Sequence, residues 1–274
     1  MFDCHVHAAP DVVERLGDDG DLLRLYESAG FDGFVLKGHY ESTVGRAQSL
    51  DRRSKLRVFG GLALNRTAGG INPISVEATL VSGGRIVWMP TADAHTQERE
   101  NLPRLCDLDQ RVGRVSLAIP PVDFETEPSV ELILQLLAEH DAVLATGHLS
   151  GPECAWLLAR AQKYGVRRVL LTHPSYTVPG LTPSEISELA DLGGYVEITA
   201  FQMFHQPGCT LDFLGEVARA AKDRLVLSSD AGQPDSPPPP EALFKLIDGL
   251  VSRKLDRKRL EDAASITPLT LFQG

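Results

Sequence analysis

The sequence predicts a single closed (β/α)8 barrel, the TIM-barrel class, over residues 1–274. Eight short β-branched runs recur along the chain, each followed by a segment of helical periodicity. Several runs are apolar throughout, as strands covered on both faces of a parallel sheet are. That count of alternating units closes a barrel, and barrels of about 250 residues are ordinary single domains.

The strand-like runs are Phe2 to His7, Gly33 to Lys37, Val58 to Leu64, Arg85 to Met89, Ala142 to Thr146, Arg168 to Thr172, Gly194 to Ile198 and Leu225 to Ser229. The first helix carries a core-facing stripe of Leu22, Leu23, Leu25 and Tyr26 and stops at Gly30. Asn72-Pro73 opens a helix that ends at Gly83-Gly84, and Gly151-Pro152 opens one that runs to Tyr164 before Gly165. Thr182-Pro183-Ser184-Glu185 combines a capping hydroxyl, a first-turn proline and a glutamate three residues after the cap. That helix should stop near Gly193-Gly194.

About 50 residues separate the fourth strand from the fifth, against roughly 25 to 30 elsewhere, which marks residues 92–141 as an insertion or lid at the barrel mouth. An extra strand near Val115 to Ile119, then Pro120-Pro121 and a helix from Ser129 to His140, are expected within it. Residues 237–274 hold two C-terminal helices after Pro237 to Pro240, which reads as a stiff surface connector.

Hydrophobic residues make up 43% and charged residues 23%, a globular profile in a chain long enough to bury its core without disulfides or a structural metal. A metal site would therefore serve chemistry. The net charge of −10 argues against nucleic acid as a partner. No apolar stretch approaches the roughly 20 residues of a membrane span, and the first residues lack a leader's charged and apolar regions. Cys4, Cys106, Cys154 and Cys209 are scattered, so a reduced, cytoplasmic setting is expected. The partner expected is a small molecule, with a homo-oligomer left open.

His5-Val6-His7 is the sharpest chemical signal. Side chains alternate along a strand, so the two imidazoles share a face and Asp3 joins them, while Cys4 should pack outward. In isolation the pair also suits two unrelated surface histidines. His148 after the fifth strand, His173 after the sixth and Asp230 after the eighth change that reading, because a barrel puts its active site just beyond the C-terminal ends of its strands. Zinc accepts neutral imidazole and carboxylate, and a catalytic site keeps one position open for water. Asp230 suits both ligation and proton transfer, and Asp3 is placed to hold one imidazole tautomer.

In these five positions the chain resembles the amidohydrolase superfamily, and the likeness covers nearly the whole chain in strand order. Asp3 to Asp11, with Lys37-Gly38-His39, also resembles the opening of an uncharacterised amidohydrolase-related family that assigns no substrate. Two-metal members of the superfamily bridge their ions with a fourth-strand lysine or glutamate, but Ile86 to Thr91 offers neither. The one-metal pattern implies His5, His7, His148 and Asp230 as ligands, with His173 beside the ion or joining the set. The expected cofactor is one divalent ion, zinc first, with manganese, iron or cobalt possible and two ions as the alternative.

Lys37 is expected either to stay cationic and hold a substrate carboxylate or oxyanion, or to be carboxylated and bridge two ions; the cation is favoured. Arg15 and His39 are the candidates for contact with an anionic substrate, although Arg15 and Arg66 each read first as ordinary surface arginines. Asp93 and His95 are ordinary loop types, and Glu197 reads as a buried polar partner within the seventh strand. His140 and His205 have no supporting context. The resemblance implies metal-dependent hydrolysis of a C–N, C–O or P–O bond. A metal-dependent decarboxylase or other lyase, and a non-catalytic ligand-binding barrel, are the alternatives.

Overall fold

The computed structural model describes residues 1–99 and 115–273. The eight strands are β1 (Phe2–Val6), β2 (Gly33–Leu36), β3 (Arg57–Ala63), β4 (Ile86–Trp88), β5 (Val143–Ala145), β6 (Val169–Leu171), β7 (Tyr195–Thr199) and β8 (Leu225–Ser228). They pair in parallel in sequence order. The ring closes between its ends: Asp230 N donates to His5 O at 2.7 Å, and His7 N donates to Ala231 O at 2.9 Å.

Strand parity sorts the apolar residues into two layers. Cys4, Val35, Ile86, Trp88, Val143, Leu170 and Val226 fill the barrel interior. Their neighbours Phe34, Leu36, Val87, Leu144, Leu171 and Leu227 face outward into the layer that the helices cover. Those helices are α1 (Asp19–Ser28), α2 (Val44–Asp51), α3 (Pro73–Val81), α4 (His95–Arg99), α5 (Glu127–Glu139), α6 (Gly151–Tyr164), α7 (Pro183–Asp191), α8 (Ala200–His205), α9 (Leu211–Ala220), α10 (Pro239–Ser252), α11 (Arg257–Ala263) and α12 (Ile266–Phe272). Start signals in the sequence act as expected at α3, α6 and α7. Asn72 caps α3 by accepting from Ile74 N, and Ser150–Glu153 and Thr182–Glu185 form capping boxes at α6 and α7.

Three local expectations fail. Val115 to Ile119 forms no strand among the described residues: its one ladder contact there is the bridge of Leu117 to Ala94, and Pro120-Pro121 follow at once. Pro239 and Pro240 are buried in the first turn of α10, where a missing N–H is harmless, so the proline run is not simply a surface connector. Three helices, not two, end the chain, because Asp256 caps α11 and Ser265 separates it from α12. Phe272 of α12 packs on Phe2 and Phe59 at ring distances of 5.7 Å and closes the end of the barrel opposite the histidines.

The fourth error is instructive. Between Asp3 and Val6, three residue steps of β1 run against two of β2, from Phe34 to Leu36, so the ladder slips by one residue. Simple alternation therefore breaks. Cys4 and His5 both face the interior, and Asp3 turns outward under α1. There Asp3 accepts from Tyr26 Oη at 2.5 Å and Ser229 N at 3.0 Å rather than from an imidazole, and burial pushes its pKa up to about 6. No helix among the described residues is long and apolar enough to cross a membrane.

Candidate metal centre

His5, His7 and Asp230 meet at the mouth with one ligand atom from each inside 4.8 Å of the others. His5 Nε2 lies 3.0 Å and His7 Nε2 3.2 Å from the same Asp230 Oδ1. The backbone bends to achieve this. Asp230 and His173 both adopt positive φ, 48° and 24°, uncommon for residues with a side chain and concentrated at functional sites. Gly232 allows the closure, since a Cβ there would sit 2.1 Å from His7 O.

Glu197 organises the inner side. Fully buried, it accepts from His5 Nδ1 (3.1 Å), Ser228 Oγ (2.7 Å) and His173 N (3.0 Å). It takes the tautomer-setting role that the sequence pattern suggested for Asp3: with Nδ1–H on the carboxylate, a neutral His5 presents its Nε2 lone pair to the mouth. Burial opposes ionisation of Glu197 and Asp230, but the neighbouring histidines outweigh it, and both carboxyls stay below their usual range, Asp230 far below. Burial likewise works against His5 becoming protonated, yet Asp230 and then Glu197 more than offset burial and Lys37, so its pKa rises. His7, His148 and His39 lie well below the usual imidazole range, chiefly through burial, and His173 falls to about 4 for the same reason.

His148 and His173 stand beside the cluster rather than in it. Their rings are 5.1 Å apart, His173 stacks on His5 at 5.8 Å, and His173 Nε2 is 3.9 Å from Asp230 Oδ2. Thr146 and Thr172 lock the two strand ends to each other: Thr172 N donates to Thr146 Oγ1 and Gly147 N donates to Thr172 Oγ1, both at 3.0 Å. The Gln97 carboxamide lies 2.5 Å from His148 Nδ1. The contact atom is Gln97 Nε2, which donates to Nδ1 and puts the ring proton on Nε2; the flipped amide would accept from Nδ1–H and leave Nε2 an acceptor.

Lys37 is 2% exposed, with Nζ 3.0 Å from His5 Nε2 and 5.5 Å from the centre of the Trp88 ring. No carboxylate of the described residues lies within ion-pair distance of it, and burial draws its pKa down to about 8. His39 stacks on His7 at 5.0 Å and is held through Nδ1 by Thr91 Oγ1. Arg15 is not a surface arginine: its side chain is 4% exposed and ion-paired with Asp11 at 2.6 Å. Arg46 pins the same loop by donating to the carbonyls of Ala8, Ala9 and Pro10.

Asp93 and His95 turn away into structural work. Asp93 accepts from Arg66 N, and His95 Nε2 pairs with Glu153 at 2.7 Å. His205 bonds Ser236 Oγ at 2.7 Å. His140 ends α5 as its C-cap. Cys106 and residues 100–114 of the expected insertion lie outside the described residues. Sequence reasoning passed over Gln97 and Tyr176, which carry no motif, and underrated Glu197, whose signal was a lone acid in an otherwise apolar strand.

The donor set suits a divalent ion. Two imidazole nitrogens from the end of β1 and a carboxylate oxygen from beyond β8 converge, and the buried Nδ1 atoms of His7 and His173 have no hydrogen-bond partner among the described residues. Fold and site together define a (β/α)8 barrel with a histidine–aspartate cluster at its C-terminal mouth. The chain belongs to the family of unknown function DUF6282, which residues 1–197 match. No curated protein matches it by sequence. Among solved structures it is similar to an amidohydrolase from Pseudomonas aeruginosa, at 12% identity and TM-score 0.67, covering 99% of this chain and 94% of that one. It is also similar to an organophosphorus hydrolase from Deinococcus radiodurans (12%, TM-score 0.61, covering 99% and 92%). A TatD homologue from Escherichia coli K12 is a third (15%, TM-score 0.57, covering 99% and 97%). At these identities the shared property is the fold.

Proposed function

We propose that the protein is a metal-dependent hydrolase of the amidohydrolase superfamily acting on a small molecule. The observation that carries this reading is the convergence of His5 Nε2 and His7 Nε2 on Asp230 Oδ1 at the end of the barrel where such enzymes work. His5, His7 and Asp230 would hold the ion, with His148 completing the set and His173 beside it. Zinc is the ion this donor set favours, with manganese, iron or cobalt as substitutes. When bound, such an ion supplies the Lewis acidity that lets water attack an ester, amide or phosphoester centre at neutral pH.

The chain's own residues supply the rest. Asp230 remains ionised, so an oxygen not taken up in ligation accepts the proton of the attacking water. His173 is neutral at pH 7 and orients the substrate or the water across the 3.9 Å gap to Asp230. Lys37, buried with no carboxylate of the described residues at ion-pair distance, supplies positive charge to an oxyanion or a substrate carboxylate. His39 lines the approach. Arg15, already paired with Asp11, reaches an anionic substrate only by exchanging that partner.

The buried Lys37 at the mouth also favours a second reading, a decarboxylase of the same superfamily that grips a substrate carboxylate. Turnover of an ester, lactone, amide and carboxylic acid panel in isotopically labelled water separates the two. Solvent oxygen in the product, lost with Asp230→Asn, supports hydrolysis. Carbon dioxide release without label incorporation overturns it in favour of the lyase.

A further inference from the structure

Tyr176 follows His173 by three residues, on the loop between β6 and α7. Its ring meets His173 edge-on at 5.3 Å and 77°, and meets Phe201, in the first turn of α8, at 5.7 Å and 63°. The loop is pinned from several directions. Tyr176 N donates to His173 O at 2.9 Å, Gly180 N donates to Tyr176 O at 2.7 Å, and Leu181 N donates to Pro174 O at 2.9 Å. From α8, Gln202 Nε2 reaches Ser175 Oγ at 2.9 Å, and Gln206 Nε2 just beyond it reaches Ser175 O at 3.2 Å. A half-buried ring held between two other rings, on a backbone tied this way, has little freedom to turn.

The hydroxyl itself is uncommitted. Among the described residues it has no hydrogen-bond partner, whereas the hydroxyl of Tyr26 donates to Asp3. The edge-on contact with His173 sets the ring beside the site, and burial, then the field of Asp230, push the Tyr176 pKa up, so the phenol stays a donor at neutral pH. A fixed donor beside His173, with no acceptor among the described residues, is the arrangement that stabilises charge developing on a bound oxygen.

We propose that Tyr176 Oη is a substrate-contacting donor, and that the group it meets is an oxyanion: the oxygen of a carboxylic or phosphonic acid derivative. This rests on the metal-dependent reading above. It narrows that reading to acid derivatives whose carbonyl or phosphoryl oxygen gains negative charge on attack.

The test uses methylphosphonate, a tetrahedral oxyanion, titrated into zinc-loaded protein and into its Tyr176→Phe variant. The zinc affinity of each is measured first by chelator competition. Zinc affinities should agree within about threefold, while phosphonate affinity falls about tenfold or more in the variant, the worth of a hydrogen bond to a charged acceptor. A phenol difference-absorption band should accompany binding in the wild type and be missing in Tyr176→Phe. Equal phosphonate affinity in the two proteins, or no binding to the zinc-loaded wild type, overturns the assignment. So does loss of zinc by Tyr176→Phe, since the hydroxyl would then serve the ligands rather than a substrate. A wild type that takes up no zinc refutes the metal centre instead, and the same titration of the metal-free pair then decides Tyr176 by the same criterion.

Discussion

Replacing Glu197 by glutamine removes one charge and one acceptor from a fully buried position. The carboxylate receives His5 Nδ1, Ser228 Oγ and the His173 amide on its two oxygens. A carboxamide has only one oxygen, so one group must suffer. With the oxygen toward His5 and Ser228, its NH2 opposes the His173 N–H, and a buried unsatisfied donor costs about 1–3 kcal/mol. With the oxygen toward His173, the NH2 faces His5 and forces the proton to Nε2, the atom that ligation needs. Loss of charge beside His5 adds to either case, since breaking a buried charged pair costs about 3–5 kcal/mol. The retained acceptor puts Glu197→Gln at the lower end, about 3 kcal/mol in the metal-free protein. Zinc affinity should also fall about 10- to 100-fold, as it does when outer partners of ligating histidines are removed. Urea unfolding of the metal-free variant and chelator competition for zinc read the two effects separately. Stability within about 0.5 kcal/mol of wild type, together with zinc affinity within twofold, would refute the assignment of Glu197 as the residue that orients His5.

Glu153 ties Ile119 N (2.9 Å), Ser150 N (2.8 Å) and His95 Nε2 (2.7 Å) to the start of α6, so Glu153→Gln should cost about 1–3 kcal/mol in urea unfolding at neutral pH. Burial opposes its ionisation, but these bonds win and its folded pKa lies below 4.5; the contribution is present above pH 4.5 and lost as the pH falls through the folded value, so the gap between variant and wild type should close in acid. A gap that widens below pH 4.5 would contradict this. Burial pushes the Cys154 thiol up to about 12 and the half-buried Cys209 thiol to about 11, so neither should react with a disulfide reagent in the native protein at pH 8, and both should react in denaturant. Gly147 has φ 58°, and a Cβ there would lie 2.3 Å from Met89 O; Gly147→Ala should lower stability by about 2 kcal/mol or more and weaken zinc binding through His148, as thermal unfolding and metal titration would show.

The barrel was legible because its strands are apolar runs that alternate with helical segments, and the grouping of His5, His7 and Asp230 because these residues stand at the ends of such runs. Period-2 alternation placed His5 and His7 together correctly but misplaced Asp3 and Cys4. A one-residue slip in β1 leaves no mark in residue types, and it exchanges the faces of everything before it. The role of Glu197 depends on its reaching across the interior from β7 to β1, a contact that separates residues by 192 positions and that no local pattern encodes. Arg15 looked like a surface residue because its residue type shows neither its pairing with Asp11 nor that Arg46 pins the preceding loop. Proline at Pro239 and Pro240 argued for a connector, yet the same residue type starts a helix when the positions that follow are apolar at helical spacing.

The proposed chemistry stands on a single divalent ion held by His5, His7 and Asp230. Elemental analysis of protein purified without chelators or an affinity tag, repeated for Asp230→Ala and Lys37→Ala, tests it most directly. The account predicts about one zinc or comparable ion per chain, lost with Asp230→Ala and kept with Lys37→Ala. Two ions with one lost on Lys37→Ala would make Lys37 a bridging ligand, and no metal in native or supplemented protein would contradict the centre altogether.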